Sequence, residues 1–184
     1  MRKMRIVKQV GCAILAGALV IGQIFGSGAS LITAKAAESW VDTQKITNGD
    51  FETGDSSEWT LESGSGAELE VKNGGSNVNS TYYLNIWASD QADVSIKQTV
   101  SSVSAGTYKL GFDVEGDAQD TGLTVSVAGT EESVGVTSGW DVWTTHETKE
   151  FVIEDTTDVE ITFTGNLAKG YWGKLDNIKL YKLT

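Results

Sequence analysis

The chain has 184 residues, with 14 Lys+Arg against 25 Asp+Glu, 21 glycines, six tryptophans, no proline and one cysteine. A net charge of −11 repels polyphosphate, which argues against nucleic acid as a partner. One cysteine allows no internal disulfide, and a single histidine, His146, excludes a histidine-rich zinc site.

The N-terminus reads as an export signal. Arg2, Lys3, Arg5 and Lys8 form a basic start, an apolar run follows from Val10 to Phe25, and Ala34-Lys35-Ala36 puts small residues where a signal peptidase reads. The run is too short and wrongly flanked for a membrane span. The expected organisation is a signal over 1–36 and one secreted domain over 37–184. That mature part carries no cysteine and a more acidic balance, because the basic residues of the signal are lost with it. About 150 residues is enough for one hydrophobic core.

In chain order, the first readable segment is Asn48-Gly49-Asp50-Phe51-Glu52, taken as a strand edged by carboxylates. Alternation with a period of two then marks strands. Tyr82, Leu84 and Ile86 alternate with Tyr83, Asn85 and Trp87; Val94, Ile96, Gln98 and Val100 alternate with polar neighbours. Tyr108, Leu110, Phe112 and Val114 face one way, and Lys109, Gly111, Asp113 and Glu115 the other. Leu123, Val125 and Val127 form another half-buried strand, followed by Phe151 and Ile153, by Val159, Ile161 and Phe163, and by Ile178 and Leu180. Turn clusters separate them at Gly54-Asp55-Ser56-Ser57, Asn73-Gly74-Gly75, Ser104-Ala105-Gly106, Glu115-Gly116-Asp117 and Glu154-Asp155-Thr156-Thr157. No stretch of the mature part keeps a helical period. The expected fold class is all-β, an antiparallel β-sandwich of jelly-roll type, with one face of each sheet buried and one wet.

Tryptophans on wet positions suit sugar rings, whose C–H faces lie flat on aromatic rings while amides and charged groups bind the rim hydroxyls. If Leu84 and Ile86 point inward, Tyr83, Asn85 and Trp87 point outward. Trp140 follows Ser138-Gly139 near a loop tip, and Tyr171-Trp172 lies between Gly170 and Gly173. The expected ligand contacts are Trp87, Trp140 and Trp172, then Trp143 and Tyr171, with Asn85 and Asp141 as polar partners. Asp113 and Glu115 share a wet face and read as solvated charges. Trp59, which leads into Leu61, reads as core, and His146 as a surface residue.

Hydrolytic constellations are sparse. No Gly-x-Ser-x-Gly elbow occurs. Glu131 and Glu132 are neighbours on one strand and point to opposite faces, so they make a poor carboxylate pair for glycoside cleavage. The chain is expected not to be an enzyme. A small secreted glycoside hydrolase and a structural or adhesive β-domain stay open as alternatives.

The stretch Thr47-Asn48-Gly49-Asp50-Phe51-Glu52-Thr53-Gly54 with Trp59, and the close Gly173-Lys174-Leu175-Asp176-Asn177-Ile178-Lys179-Leu180, resemble the two ends of galactose-binding-like carbohydrate-binding modules. Tyr82-Tyr83-Leu84-Asn85-Ile86-Trp87, Ala105-Gly106-Thr107-Tyr108-Lys109-Leu110 and Gly170-Tyr171-Trp172-Gly173 are similar to modules joined to bacterial endo-β-1,4-galactanases. The resemblance implies non-catalytic binding of a plant polysaccharide, β-1,4-galactan or arabinogalactan foremost. It also implies a structural calcium held by Glu52 and Asp176 with Asp50 contributing. Read from the residues alone, these three acids are a turn residue and two solvated edge charges. A galactanase barrel needs about 250 residues, so a catalytic partner is expected, if anywhere, downstream of Thr184.

Overall fold

The computed structural model describes residues 37–74, 80–117 and 119–184; the export signal read over 1–36 lies outside them. Its regular elements are strands: β1 (Trp40–Asp42), β2 (Thr60–Ser63), β3 (Ala67–Asn73), β4 (Tyr82–Ala88), β5 (Ala92–Val103), β6 (Gly106–Gly116), β7 (Leu123–Val127), β8 (Thr130–Ser133), β9 (Gly139–Glu147), β10 (Phe151–Ile153), β11 (Thr157–Leu167) and β12 (Trp172–Leu183). They form two antiparallel sheets. One follows the order β10-β6-β12-β4-β3, with β1 added beside β12 and β9 beside β6; the other follows β2-β5-β11-β7-β8.

The period-two pattern explains both faces. In β6, Tyr108, Leu110, Phe112 and Val114 are buried in the core, as expected. In β11, Val159, Ile161 and Phe163 do the same from the other sheet. Phe112 and Phe163 meet edge to face across the gap, with ring centroids 5.0 Å apart, and the buried side chains of both sheets form one continuous cluster. The expected all-β antiparallel sandwich is therefore what the chain adopts.

Two features depart from the periodic reading. Gln98 occupies a core-facing position in β5, where a polar side chain is costly unless bonded. It is satisfied from both ends: its Oε1 accepts from Thr47 N at 3.0 Å, and its Nε2 donates to Thr47 O at 2.8 Å. This pins the segment that precedes Asn48 onto the sandwich.

The second departure is a correction. Residues 48–52 are a turn, not a strand. Asn48 and Phe51 have φ of 50° and 54°, a left-handed geometry that breaks any strand ladder. The two ends of the chain still meet, by another route: Ile178 N donates to Gly49 O at 2.8 Å, and β1 pairs with the end of β12. Phe51 is fully buried, and Trp59 is buried as expected, with its indole N–H donating to Asn48 O at 2.9 Å.

Phe163→Ala is expected to destabilise the domain by about 3–5 kcal/mol, because its ring is fully buried against the facing sheet. Urea unfolding followed by tryptophan fluorescence measures this.

Candidate functional site

The outer face of the seven-stranded sheet collects the aromatics that the sequence left on wet positions. Cross-strand partners share a face, and Trp172 of β12 lies opposite Trp87 of β4, with Lys174 opposite Asn85. On the other side of β12, Lys174 lies opposite Glu115 of β6. Tyr83, Asn85, Trp87, Trp140, Trp172 and Lys174, with Asp117 at the rim, line an open trough of about 590 Å³. That volume lies within the roughly 300–1,000 Å³ usual for small-molecule sites. Trp140 is 72% exposed and Trp87 42%. The rings of Trp140 and Trp172 sit 5.4 Å apart, tilted by 57°, so they form two walls of an angle rather than a stack.

Beneath these rings lies a buried charge pair. Lys174 Nζ donates to Glu115 Oε2 at 3.0 Å, and the two residues are 7% and 1% exposed. The expectation of a solvated Glu115 is thus corrected. It faces outward, but aromatic side chains cover it. Lys174 Nζ lies 4.8 Å from the ring centres of both Tyr83 and Trp140, and 5.7 Å from that of Trp143, within range of cation–π attraction. The second oxygen, Glu115 Oε1, accepts from the backbone N–H of Asp141 at 2.9 Å. This bond holds Asp141 at a φ of 62°, a left-handed value uncommon for a residue with a side chain, and so sets where the adjacent Trp140 stands.

The expected site residues separate into groups. Trp87, Trp140, Trp172 and Asn85 come together in the trough. Trp143 lies behind it, edge-on to Tyr83 at 6.3 Å, and its indole N–H is buried without an acceptor. Its place is the roof over Lys174. Asp141 contributes its backbone, while its side chain is exposed and does not line the trough. Tyr171 lies on a separate cavity around the rim. Its hydroxyl is tucked against Gly173, where any Cβ would collide with it, and burial, with the charge of Asp120 second, raises its pKa above the ordinary tyrosine value. Tyr83 and Lys174 line the trough although they were not expected to; Tyr83 shares strand parity with Trp87, which is the signal that could have found it.

The three acids taken as metal ligands have distinct surroundings. Glu52 Oε1 accepts from Ser80 Oγ at 2.9 Å, Thr81 N at 2.6 Å and Tyr82 N at 2.8 Å. These bonds, Tyr82 N–H foremost, lower its pKa, and they fasten the start of β4. Asp176 is fully buried, stands opposite Asp113 and accepts from Asn177 N at 2.7 Å. Asp50 Oδ1 accepts from Glu52 N at 3.4 Å. Among the described residues, no three or more His, Cys, Asp or Glu side chains gather in metal-binding geometry. His146, expected on the surface, is instead half-buried and stacks on Phe112 at 5.7 Å. Burial lowers its pKa, opposed by the charge of Asp113.

Known structures share this architecture. TmCBM61, solved in complex with β-1,4-galactotriose, superposes with a TM-score of 0.62 at 27% identity, over 75% of this chain and 97% of that one. The chain has the fold of a galactose-binding-like carbohydrate-binding module. A family 16 carbohydrate-binding module matches with a TM-score of 0.56 at 20% identity, over 74% of this chain and 98% of that one. The enzymatically active domain of bacteriophage CBA120 tailspike protein 4 matches with a TM-score of 0.58 at 16% identity, but only 21% of its length is covered, so this likeness concerns the sandwich alone. No protein-family model and no curated protein sequence matches the chain.

Lys174→Met is expected to cost about 3–5 kcal/mol, because it leaves Glu115 buried without its counter-charge. The double variant Lys174→Met/Glu115→Gln should recover most of that loss. Urea unfolding of the wild type, both single variants and the double variant closes the cycle; a double-variant loss equal to the sum of the two single losses would show that the pair is not coupled.

Proposed function

We propose that the chain is a non-catalytic module that binds polysaccharide in the tryptophan trough, with β-1,4-galactan as the preferred ligand. The observation that carries this reading is the trough itself: tilted, exposed Trp140 and Trp172, with Trp87 opposite Trp172, beside the amide of Asn85 and the carboxylate of Asp117. Flat rings take the C–H faces of sugars, and the polar rim exchanges water for sugar hydroxyls at nearly even cost. Galactan is favoured by the likeness to the galactotriose-bound TmCBM61. The export signal read over 1–36 would place the module outside the cell, where such polymers occur, and a catalytic domain it could serve would lie on a longer chain.

Affinity electrophoresis in gels containing galactan, xylan or mixed-linkage glucan tests the reading. The wild type should be retarded most by galactan, and Trp87→Ala or Trp140→Ala should lose most of that retardation; Trp87→Ala should also keep its stability within about 1 kcal/mol of the wild type, as expected for an exposed ring. Migration unchanged by all three polymers would sink the proposal. Release of reducing ends from galactan would favour a hydrolase instead.

We propose in addition that a structural calcium joins the two ends of the chain. Its donors would be Glu52 and Asp176, with Asp50 and backbone carbonyls completing the oxygen shell that calcium prefers. The donor chemistry is all oxygen, and the Ile178–Gly49 bond sets the turn of residues 48–52 beside the last strand. If calcium binds there, EDTA lowers the thermal midpoint of the wild type and leaves that of Glu52→Ala unmoved. Titration with terbium, read by tryptophan-sensitised luminescence, separates ion binding from the three hydrogen bonds that the same substitution removes.

A further inference from the structure

A second cavity, about 190 Å³, lies around the rim from the trough, between the β6–β7 and β11–β12 loops. It touches the trough at one residue: Asp117 lines both. Tyr171, the residue before β12, and Trp172, its first residue, line one cavity each. The volume falls below the roughly 300 Å³ at which drug-sized ligand sites begin, which suits one sugar ring and not two.

Its lining has the chemistry of a sugar subsite. Tyr171 supplies an aromatic surface. Asp117, Asp120 and Asn166 supply acceptors and an amide, and Lys169 an ammonium donor. The acids and the amide are held before any ligand arrives. Asp120 Oδ1 accepts from Gly122 N at 2.9 Å and Asp117 Oδ2 from Gln119 Nε2 at 3.2 Å. Asn166 is fixed by Gln91 and Asp93, both at 2.6 Å. Groups fixed in advance lose little freedom on binding. The loop that carries Ala168 and Lys169 is itself tied to β4, with Gly170 N donating to Ala88 O at 2.7 Å and Ala88 N to Tyr171 O at 2.9 Å.

We infer that this rim cavity is a branch subsite: it takes a single sugar residue carried as a side chain on the polysaccharide whose main chain lies on the tryptophans. The inference rests on the proposed sugar binding in the trough. A straight chain lying on Trp87, Trp140 and Trp172 does not need the second cavity, whereas a branch leaving the main chain beside Asp117 enters it directly.

Isothermal titration of the purified protein with linear β-1,4-galactan and with arabinose-substituted galactan provides the test. The branched polymer should bind roughly tenfold more tightly, the gain that one or two net hydrogen bonds provide. Ala168→Trp, which fills the cavity from an exposed loop, and Lys169→Ala should erase that preference and leave affinity for the linear polymer unchanged. Equal wild-type affinity for the two polymers would overturn the branch subsite and leave the trough standing. So would variants that weaken both polymers alike. Binding of neither polymer would remove the galactan reading, and the subsite with it.

Discussion

The outer face of the seven-stranded sheet is organised by one constraint: Lys174 and Glu115 form an ion pair on the solvent side of a sheet and are nevertheless buried. Taking two charges out of water costs several kcal/mol for each ion, and only close geometry with further bonds recovers it. The protein meets that requirement with a roof. Tyr83, Trp140 and Trp143 come from two different strands and surround the ammonium, while the Asp141 N–H takes the remaining carboxylate oxygen. The ring that forms the outer edge of this roof, Trp140, is also the most exposed large apolar side chain among the described residues. A ring held from below by a charge pair and open above is suited to receive an apolar ligand face.

The same pair adds a buried side-chain tie between strands already joined by backbone ladders. β12 carries Lys174, β6 carries Glu115, and the first residues of β9 hang from Glu115. β12 is the hub of this sheet, since β1, β4 and β6 all pair with it. Its register shifts after Asp176, where Asn177 adopts a φ of 51° and its side-chain amide donates to Asp113 Oδ2 at 2.9 Å. The bulge returns Ile178 and Leu180 to the core and lets one long strand serve the trough at its start and the chain ends at its finish.

This division explains what could be read in advance. Strands with one apolar face, such as β4, β5, β6, β7 and β11, were legible because alternation reports burial directly. β9 was not, because it runs along the sheet edge with both faces partly exposed and large residues on each. Trp87 and Asn85 were legible from strand parity alone. Tyr171 was placed beside Trp172 by sequence, but Tyr171 precedes β12, and the structure sends Trp172 to the trough and Tyr171 around the rim. Glu115 read as a solvated charge and Lys174 only as a member of the closing motif, since their pairing depends on β12 lying against β6, a long-range register with no local signature. The turn of residues 48–52 was taken for a strand edged by carboxylates; of the two left-handed residues that bend it, Asn48 and Phe51, only Asn48, in Asn-Gly, carries a turn signal in the sequence.

The energetic logic of the trough follows from the weakness of the interaction it would serve. Each sugar hydroxyl brought to the protein gives up a bond to water, so a net hydrogen bond contributes only about 1 kcal/mol, and affinity depends on how little the protein must reorder. Freely rotating tryptophans on loops would surrender rotamer entropy on binding. Here the rings are set by neighbouring groups of the sheet: Trp140 through the bond from Asp141 N to Glu115, and Tyr83 through Lys174 beside it and Trp143 at its edge. The unpaired indole N–H of Trp143 is a cost of this arrangement, of the order of 1–3 kcal/mol for a buried donor without an acceptor. A fold keeps such a group where the packing it provides outweighs the missing bond, and in this sheet that packing is the cover over the buried lysine.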